Sequence, residues 1–149
     1  MIEFAIREME EGDIPEVLEI EQSSFDYPWP ESMFAGQLRL KDTALTLVAV
    51  SAGNVIGYVI VWFEEDYSHI LNIAVAERWR GKKIADKILE EVKKKSVDKG
   101  CGTIYLEVRE NNKFALEFYN RHGFRLIGKQ KEYYGRTGES ALILELVID

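Results

Sequence analysis

The chain has 149 residues, 46% of them hydrophobic and 30% charged, with a formal net charge of −7. That length suits one domain with its own core, burying roughly 70% of its unfolded surface, and the acidic balance argues against a nucleic-acid partner, which requires a basic face. A single cysteine, Cys101, excludes an internal disulfide and a cysteine zinc site, and points to a reducing, cytoplasmic setting.

Glu3 to Arg7 reads as a first strand. Asp13 is placed to cap a helix that has Pro15 in its first turn and runs to about Ser24, with Ile14, Val17, Leu18, Glu21 and Phe25 at helical spacing. Phe25-Asp26-Tyr27-Pro28-Trp29-Pro30 cannot continue it, because proline removes a donor and turns the preceding residue away from helix. Glu31 to Leu40 is a second, short helix. Leu45–Val50 and Val55–Phe63 are β-branched and aromatic runs joined at Gly53-Asn54, a hairpin signal. The second run is far short of the ~20 residues that span a bilayer, and no basic leader opens the chain, so no membrane partner is expected.

Tyr67 to Ala76 is the next strand. It leads into a basic turn, Arg78-Trp79-Arg80-Gly81-Lys82-Lys83, and then into a helix whose Ile84, Ala85, Ile88, Leu89 and Val92 form one apolar face. Strand, basic turn and helix together present free backbone N–H groups and the positive end of a helix dipole, a site suited to phosphate. The helix ends near Lys99-Gly100. Thr103 to Arg109 is a further strand, and Asn111-Asn112 can cap a helix from Lys113 to about His122, ended by Gly123. Phe124–Tyr134 and Ser140–Ile148 close the chain as a hairpin across Gly135-Arg136-Thr137-Gly138.

The sum is a mixed α/β sheet, mostly antiparallel, of about seven strands, with a central parallel strand–helix–strand crossover and about four flanking helices. Ligands in such sheets favour the carboxyl ends of the parallel strands, here Val75-Ala76 and Val108-Arg109.

Arg80-Gly81-Lys82-Lys83-Ile84-Ala85 resembles the Q/R-x-x-G-x-G/A signature of the GNAT superfamily of acetyl-CoA-dependent N-acetyltransferases, with Lys83 where the first signature glycine is expected. The resemblance covers essentially the whole chain. It narrows toward the ribosomal-protein-alanine (RimI-like) protein N-terminal acetyltransferases through Phe25 to Pro30, Leu71 to Val75, Leu106 to Asn112, Phe118 to Phe124 and Tyr133-Tyr134. It implies acetyl-CoA as cofactor and a protein or peptide N-terminus as acceptor, a ribosomal protein among the candidates, with a monomer or weak homodimer expected.

Residue by residue, the resemblance assigns Ile73, Ala74, Val75, Arg80, Gly81, Lys82, Lys83, Ile84, Ala85, Asn112 and Tyr119 to the cofactor. Glu107 becomes the base beside the acceptor amine and Tyr119 the hydrogen-bond donor to the departing sulfur. Tyr27, Trp29, Asn72, Glu107, Tyr133 and Tyr134 line the acceptor site. The residues themselves leave alternatives open. Glu107 can be a strand-end glutamate paired with Arg109, Tyr119 can pack with Phe114 and Phe118, and Asn112 can simply cap its helix. A polyamine or amino-acid acceptor, or a non-catalytic acyl-CoA-binding domain, also fits the pattern. His69 and His122 lack partners at metal-ligand spacing and read as core or surface residues; no metal is expected.

Overall fold

The computed structural model describes residues 3–134 and 139–148, with the side chains of 132–134 and 139 outside the description. The strands are β1 (Ala5–Glu8), β2 (Ala44–Ser51), β3 (Asn54–Phe63), β4 (Tyr67–Val75), β5 (Thr103–Arg109), β6 (Arg125–Tyr134) and β7 (Glu139–Val147). The helices are α1 (Ile14–Ser24), α2 (Glu31–Gln37), α3 (Ile84–Asp98) and α4 (Lys113–Arg121). One seven-stranded sheet runs in the order β1-β2-β3-β4-β5-β7-β6. Only β4 and β5 pair in parallel, and α3 makes the crossover between them.

The sheet is covered on both faces. Ile84, Ile88, Leu89 and Val92 of α3 bury against Ile56, Val59, Val61, Ile104 and Leu106 on one side. On the other, Val17, Ile20 and Phe34 of α1 and α2 pack on Val48, Tyr58 and Ile60. The alternation of β5 explains its place: Ile104, Leu106 and Val108 are buried, while Tyr105, Glu107 and Arg109 face the opposite side and are half-buried.

Local chemistry moves several expected boundaries. The β2–β3 turn is centred on Ala52-Gly53, not Gly53-Asn54; Ser51 pairs with Asn54, and both central residues take positive φ (49° and 81°). Such a two-residue hairpin matches the strand twist, and Ala52 accepts the left-handed conformation that it requires. Asp13 does not cap α1. It lies in a short 3-10 turn, Glu11–Asp13, where its carboxylate accepts the Glu10 N–H (2.7 Å) and two Arg7 N–H bonds (2.8 and 2.9 Å). The Arg7 hydrogen bonds outweigh desolvation and hold Asp13 below the usual carboxylate range. The second helix stops at Gln37, three residues before Leu40. The 135–138 turn lies outside the described residues.

β4 carries the feature that makes room for a ligand. Its pairing with β3 slips between Ile60 and Val61, where Ile60 opposes Asn72 and Val61 opposes Ile70, leaving Leu71 as the extra residue. A bulge bends its strand and increases the local twist. The parallel pairing of β4 with β5 covers only Tyr67, Ser68 and His69 against Thr103, Ile104 and Tyr105. Beyond those residues the two strands diverge.

Candidate active site

The gap between the splayed strands is a cleft of ≈ 260 Å³. β4 contributes Ile70 to Ile73 and β5 contributes Leu106 to Arg109; Glu21, Tyr27 and Trp29 wall it from the α1 side, Asn112 and Tyr119 from α4. A larger hollow of ≈ 500 Å³ lies between Lys93, Lys94 and Val97 of α3 and the end of β7, and none of the predicted site residues lines it. The structure therefore brings Glu107, Tyr119, Asn72, Ile73, Asn112, Tyr27 and Trp29 to one cavity. The side chains of Tyr133 and Tyr134 lie outside the described residues.

At the carboxyl end of β4 a 3-10 turn, Glu77–Trp79, redirects the chain into Arg80-Gly81-Lys82-Lys83 and α3. Gly81 has φ 77° and Lys83 φ 65°, so the loop takes two left-handed residues in three positions. Lys83 immediately precedes α3, and the amides of Ile84, Ala85 and Asp86 open the helix; the first intrahelical bond runs from Lys87 N–H to the Lys83 carbonyl. Successive amides in such a loop at a helix N-terminus form an anion-binding concavity. The position where glycine was expected is thus conformationally a glycine position occupied by lysine. We expect Lys83→Gly to raise unfolding free energy by up to about 1 kcal/mol, since a β-carbon in the left-handed region costs about 1–2 kcal/mol and glycine returns part of that as chain entropy. Urea melts of the two proteins check it.

Arg80 works on the protein itself. Its Nε–H donates to the Val75 carbonyl (2.9 Å) and its guanidinium reaches the Ser24 hydroxyl (3.2 Å), fastening the loop to the end of β4 and to α1.

Asp86, in the first turn of α3, is held from α4: its Oδ1 is 2.6 Å from His122 Nε2 and 3.4 Å from Arg121. Desolvation works to raise its pKa, but the His122 bond and charge, with Arg121, lower it on balance. A depressed carboxylate contributes stability that is present above its unfolded pKa, near ~4, and lost as pH falls through the folded value. The melting-temperature advantage of the wild type over Asp86→Asn is therefore expected at pH 5 and to shrink as the pH falls below the ordinary carboxylate range.

Tyr119 is buried between Phe118 and Phe124, with ring centroids 5.1 and 5.2 Å away. Burial pushes its phenol well above the ordinary value, so it stays protonated and available as a donor. Asn112 does cap α4, its Oδ1 accepting the Ala115 N–H (3.2 Å). Glu107 is not paired with Arg109 as the bland reading has it: its Oε1 lies 2.7 Å from His69 Nε2, while the Arg109 guanidinium sits over the Tyr27 ring at 5.7 Å.

Two residues join the site without a place in the sequence pattern. His69, by its sequence a core or surface side chain, is set beside Glu107, thirty-eight positions away, by the parallel register of β4 and β5. Glu21, 1% exposed, accepts hydrogen bonds from Tyr58 O–H and Asn72 Nδ2 (2.7 Å) on Oε1, and from Trp29 N–H (2.8 Å) on Oε2. The signal for Glu21 was its place on the apolar face of α1, where a carboxylate needs partners. His69 had no local signal.

A strand edge left unpaired toward β5 among the described residues, beside a loop of left-handed residues at a helix start and opening on a carboxylate and a buried phenol, can hold and expose an activated acyl group. Residues 14–124 match the acetyltransferase (GNAT) family, and the chain belongs to it. It is an acetyl-CoA-dependent N-acetyltransferase. A Bacillus subtilis protein provisionally named ribosomal protein bS18-alanine N-acetyltransferase is 34% identical, covering 97% of this chain and 96% of its own. An N-alpha-acetyltransferase of Saccharolobus solfataricus is 29% identical over 95% of this chain and 92% of its own. The crystal structure of the Escherichia coli ribosomal-protein-S18-alanine N-acetyltransferase superposes with a TM-score of 0.89 at 28% identity, covering 99% of this chain and 95% of that one.

Proposed function

We propose that the protein acetylates the α-amino group of a protein or peptide N-terminus, a ribosomal protein being the first candidate, by direct attack of the amine on the thioester. The single observation that carries this reading is the convergence of Glu107, Tyr119 and the diverging edges of β4 and β5 on one cleft. The relatives named above, which act on alanine or α-amino termini by their names, favour the same acceptor class.

Acetyl-CoA supplies an activated acyl group. The amides and charges of Arg80 to Ala85 fit its pyrophosphate, and the β4 edge at Ile73, Ala74 and Val75, unpaired toward β5 among the described residues, fits the amide-bearing arm. Glu107 takes a proton from the amine, through water or from nitrogen made acidic by attack. An α-amino group titrates near ~8, so about a tenth is neutral at pH 7, against well under one in a thousand for a lysine side chain near ~10.4; the α-amino acceptor asks less of a carboxylate base. Tyr119 donates a hydrogen bond to the departing sulfur. Its raised pKa makes complete proton transfer still less favourable than for a free phenol, so the sulfur takes its proton from solvent.

Tyr27, Trp29 and Asn72 are the acceptor-side residues in this reading, joined by Tyr133 and Tyr134 from the last hairpin. The chain acts as one domain, 1–149, in the cytoplasm, as a monomer or weak homodimer without nucleic acid. The buried free thiol of Cys101 suits a reducing compartment. Among the described residues no helix is long and apolar enough to cross a membrane, and no cluster of His, Cys, Asp and Glu could hold a metal ion.

The test is a peptide library with varied first residues, assayed with acetyl-CoA beside spermidine and free amino acids and read by mass spectrometry. Acetylated α-amino termini are expected. Silent peptides beside rapid acetylation of spermidine would move the activity to small amines.

A further inference from the structure

Resting on the reading of Glu107 as the base, we infer that His69 is its positioning residue, holding one carboxylate oxygen so that the other faces the acceptor. Glu107 Oε1 and His69 Nε2 are 2.7 Å apart, with side chains 28% and 25% exposed. An ionised carboxylate only accepts hydrogen bonds, so Nε2 carries the proton and donates it to Oε1. This bond commits one oxygen of Glu107 and leaves Oε2 for the water or amine in the cleft. A ligand-like orientation of this kind fixes a side chain that otherwise rotates at a strand end.

The location makes the pair more than a surface ion pair. His69 lies at the last paired step of β4 and β5, just before the strands diverge, and Glu107 is the cleft-lining carboxylate immediately beyond it. The imidazole therefore stands behind the base, on the closed side of the fork. The groups facing it from the neighbouring strands are few. On β5 these are Glu107 and Tyr105, its register partner. Tyr105 is edge-on to Tyr67, and Glu145 of β7 hydrogen-bonds it from behind. From β3 the register partner is Trp62, which is uncharged and donates its indole N–H to Gln37. Glu107 is thus the carboxylate in direct contact with the ring.

The consequence is chemical. The Nε2–H holds Glu107 Oε1 and turns the other carboxylate oxygen to the cleft. Without that bond the carboxylate samples orientations in which neither oxygen meets the acceptor amine, and the rate falls while cofactor binding does not. In the catalytic step the N–C bond forms and the C–S bond breaks, one amine proton goes to Glu107 and from it to solvent, and the thiolate is protonated from solvent. His69 orients the acceptor of that proton and does not consume it.

The test compares wild type with His69→Ala, His69→Gln and Glu107→Gln, using an alanine-starting peptide and acetyl-CoA at pH 8. His69→Ala should lower kcat about tenfold at pH 8 with the KM for acetyl-CoA unchanged. His69→Gln can still donate to Oε1, and its kcat is expected within about threefold of wild type. A kcat near that of wild type in both histidine variants, with Glu107→Gln inactive, overturns the role of His69 and leaves Glu107 as base. A fully active Glu107→Gln overturns the base assignment and this inference with it. Melting temperatures measured alongside separate misfolding from either outcome, and a lowered His69→Ala rate that glutamine does not restore also counts against the inference.

Discussion

Glu107→Gln is expected to lower turnover by roughly 10²–10⁴, the range a positioned general base contributes, while acetyl-CoA binds as before. The separation follows from where the residue stands. Glu107 lines the cleft between β4 and β5, whereas the loop proposed for the pyrophosphate follows β4 and leads into α3. Its side chain touches His69 and belongs to neither buried cluster, so the amide leaves the fold intact. Glutamine keeps the shape and an oxygen for His69, but cannot take a proton at pH 7. Single-turnover rates and calorimetric titration with acetyl-CoA read the two quantities separately. A rate within twofold of wild type would take Glu107 out of the reaction.

The second large effect is on stability and falls on Glu21. Glu21→Ala is expected to cost about 3–5 kcal/mol, of which cavity formation is the smaller part. Removing the carboxylate strands the Tyr58 hydroxyl, the Asn72 amide and the Trp29 N–H, each in buried or half-buried surroundings. An unsatisfied buried donor costs about 1–3 kcal/mol. Those donors come from β3, β4 and the aromatic loop after α1, so one carboxylate ties together three segments beside the cleft. Burial, first, and the charge and hydrogen bond of Glu21 raise the Tyr58 phenol far above its ordinary value, which keeps it a donor at every working pH. Glu21→Gln retains one acceptor oxygen but turns an NH₂ toward the remaining donors, and should cost about half as much. Urea unfolding of both variants against Tyr58→Phe checks the assignment. Full stability in Glu21→Ala would mean that the donors find other partners.

The strand, basic turn and helix start were readable because they are local. Leu71 to Leu89 supplies all three in unbroken order within one stretch. The apolar face of α3 is likewise a property of spacing, and Ile84, Ile88, Leu89 and Val92 are all buried. What was not readable depends on register between distant strands. The His69–Glu107 contact exists because β4 and β5 align Ser68 with Ile104, which no local pattern specifies. The bonds of Arg80 to the Val75 carbonyl and the Ser24 hydroxyl likewise depend on the turn at Glu77–Trp79, which no charge pattern specifies. Lys83 shows the opposite lesson. A sequence motif counts glycines, whereas the fold requires a left-handed backbone, and lysine adopts it here at a modest cost. The hairpin turn shows the same tolerance in Ala52, which moved the expected turn by one residue.

The account stands or falls on where acetyl-CoA binds, and a crystal structure of the complex reads that directly. The expected result has pyrophosphate oxygens within hydrogen-bond distance of the backbone amides of Gly81 to Ala85 and the acetyl carbon in the fork between Ile73 and Glu107. Acetyl-CoA seated in the hollow between α3 and β7, with the loop at Arg80 to Ala85 bare, would contradict it.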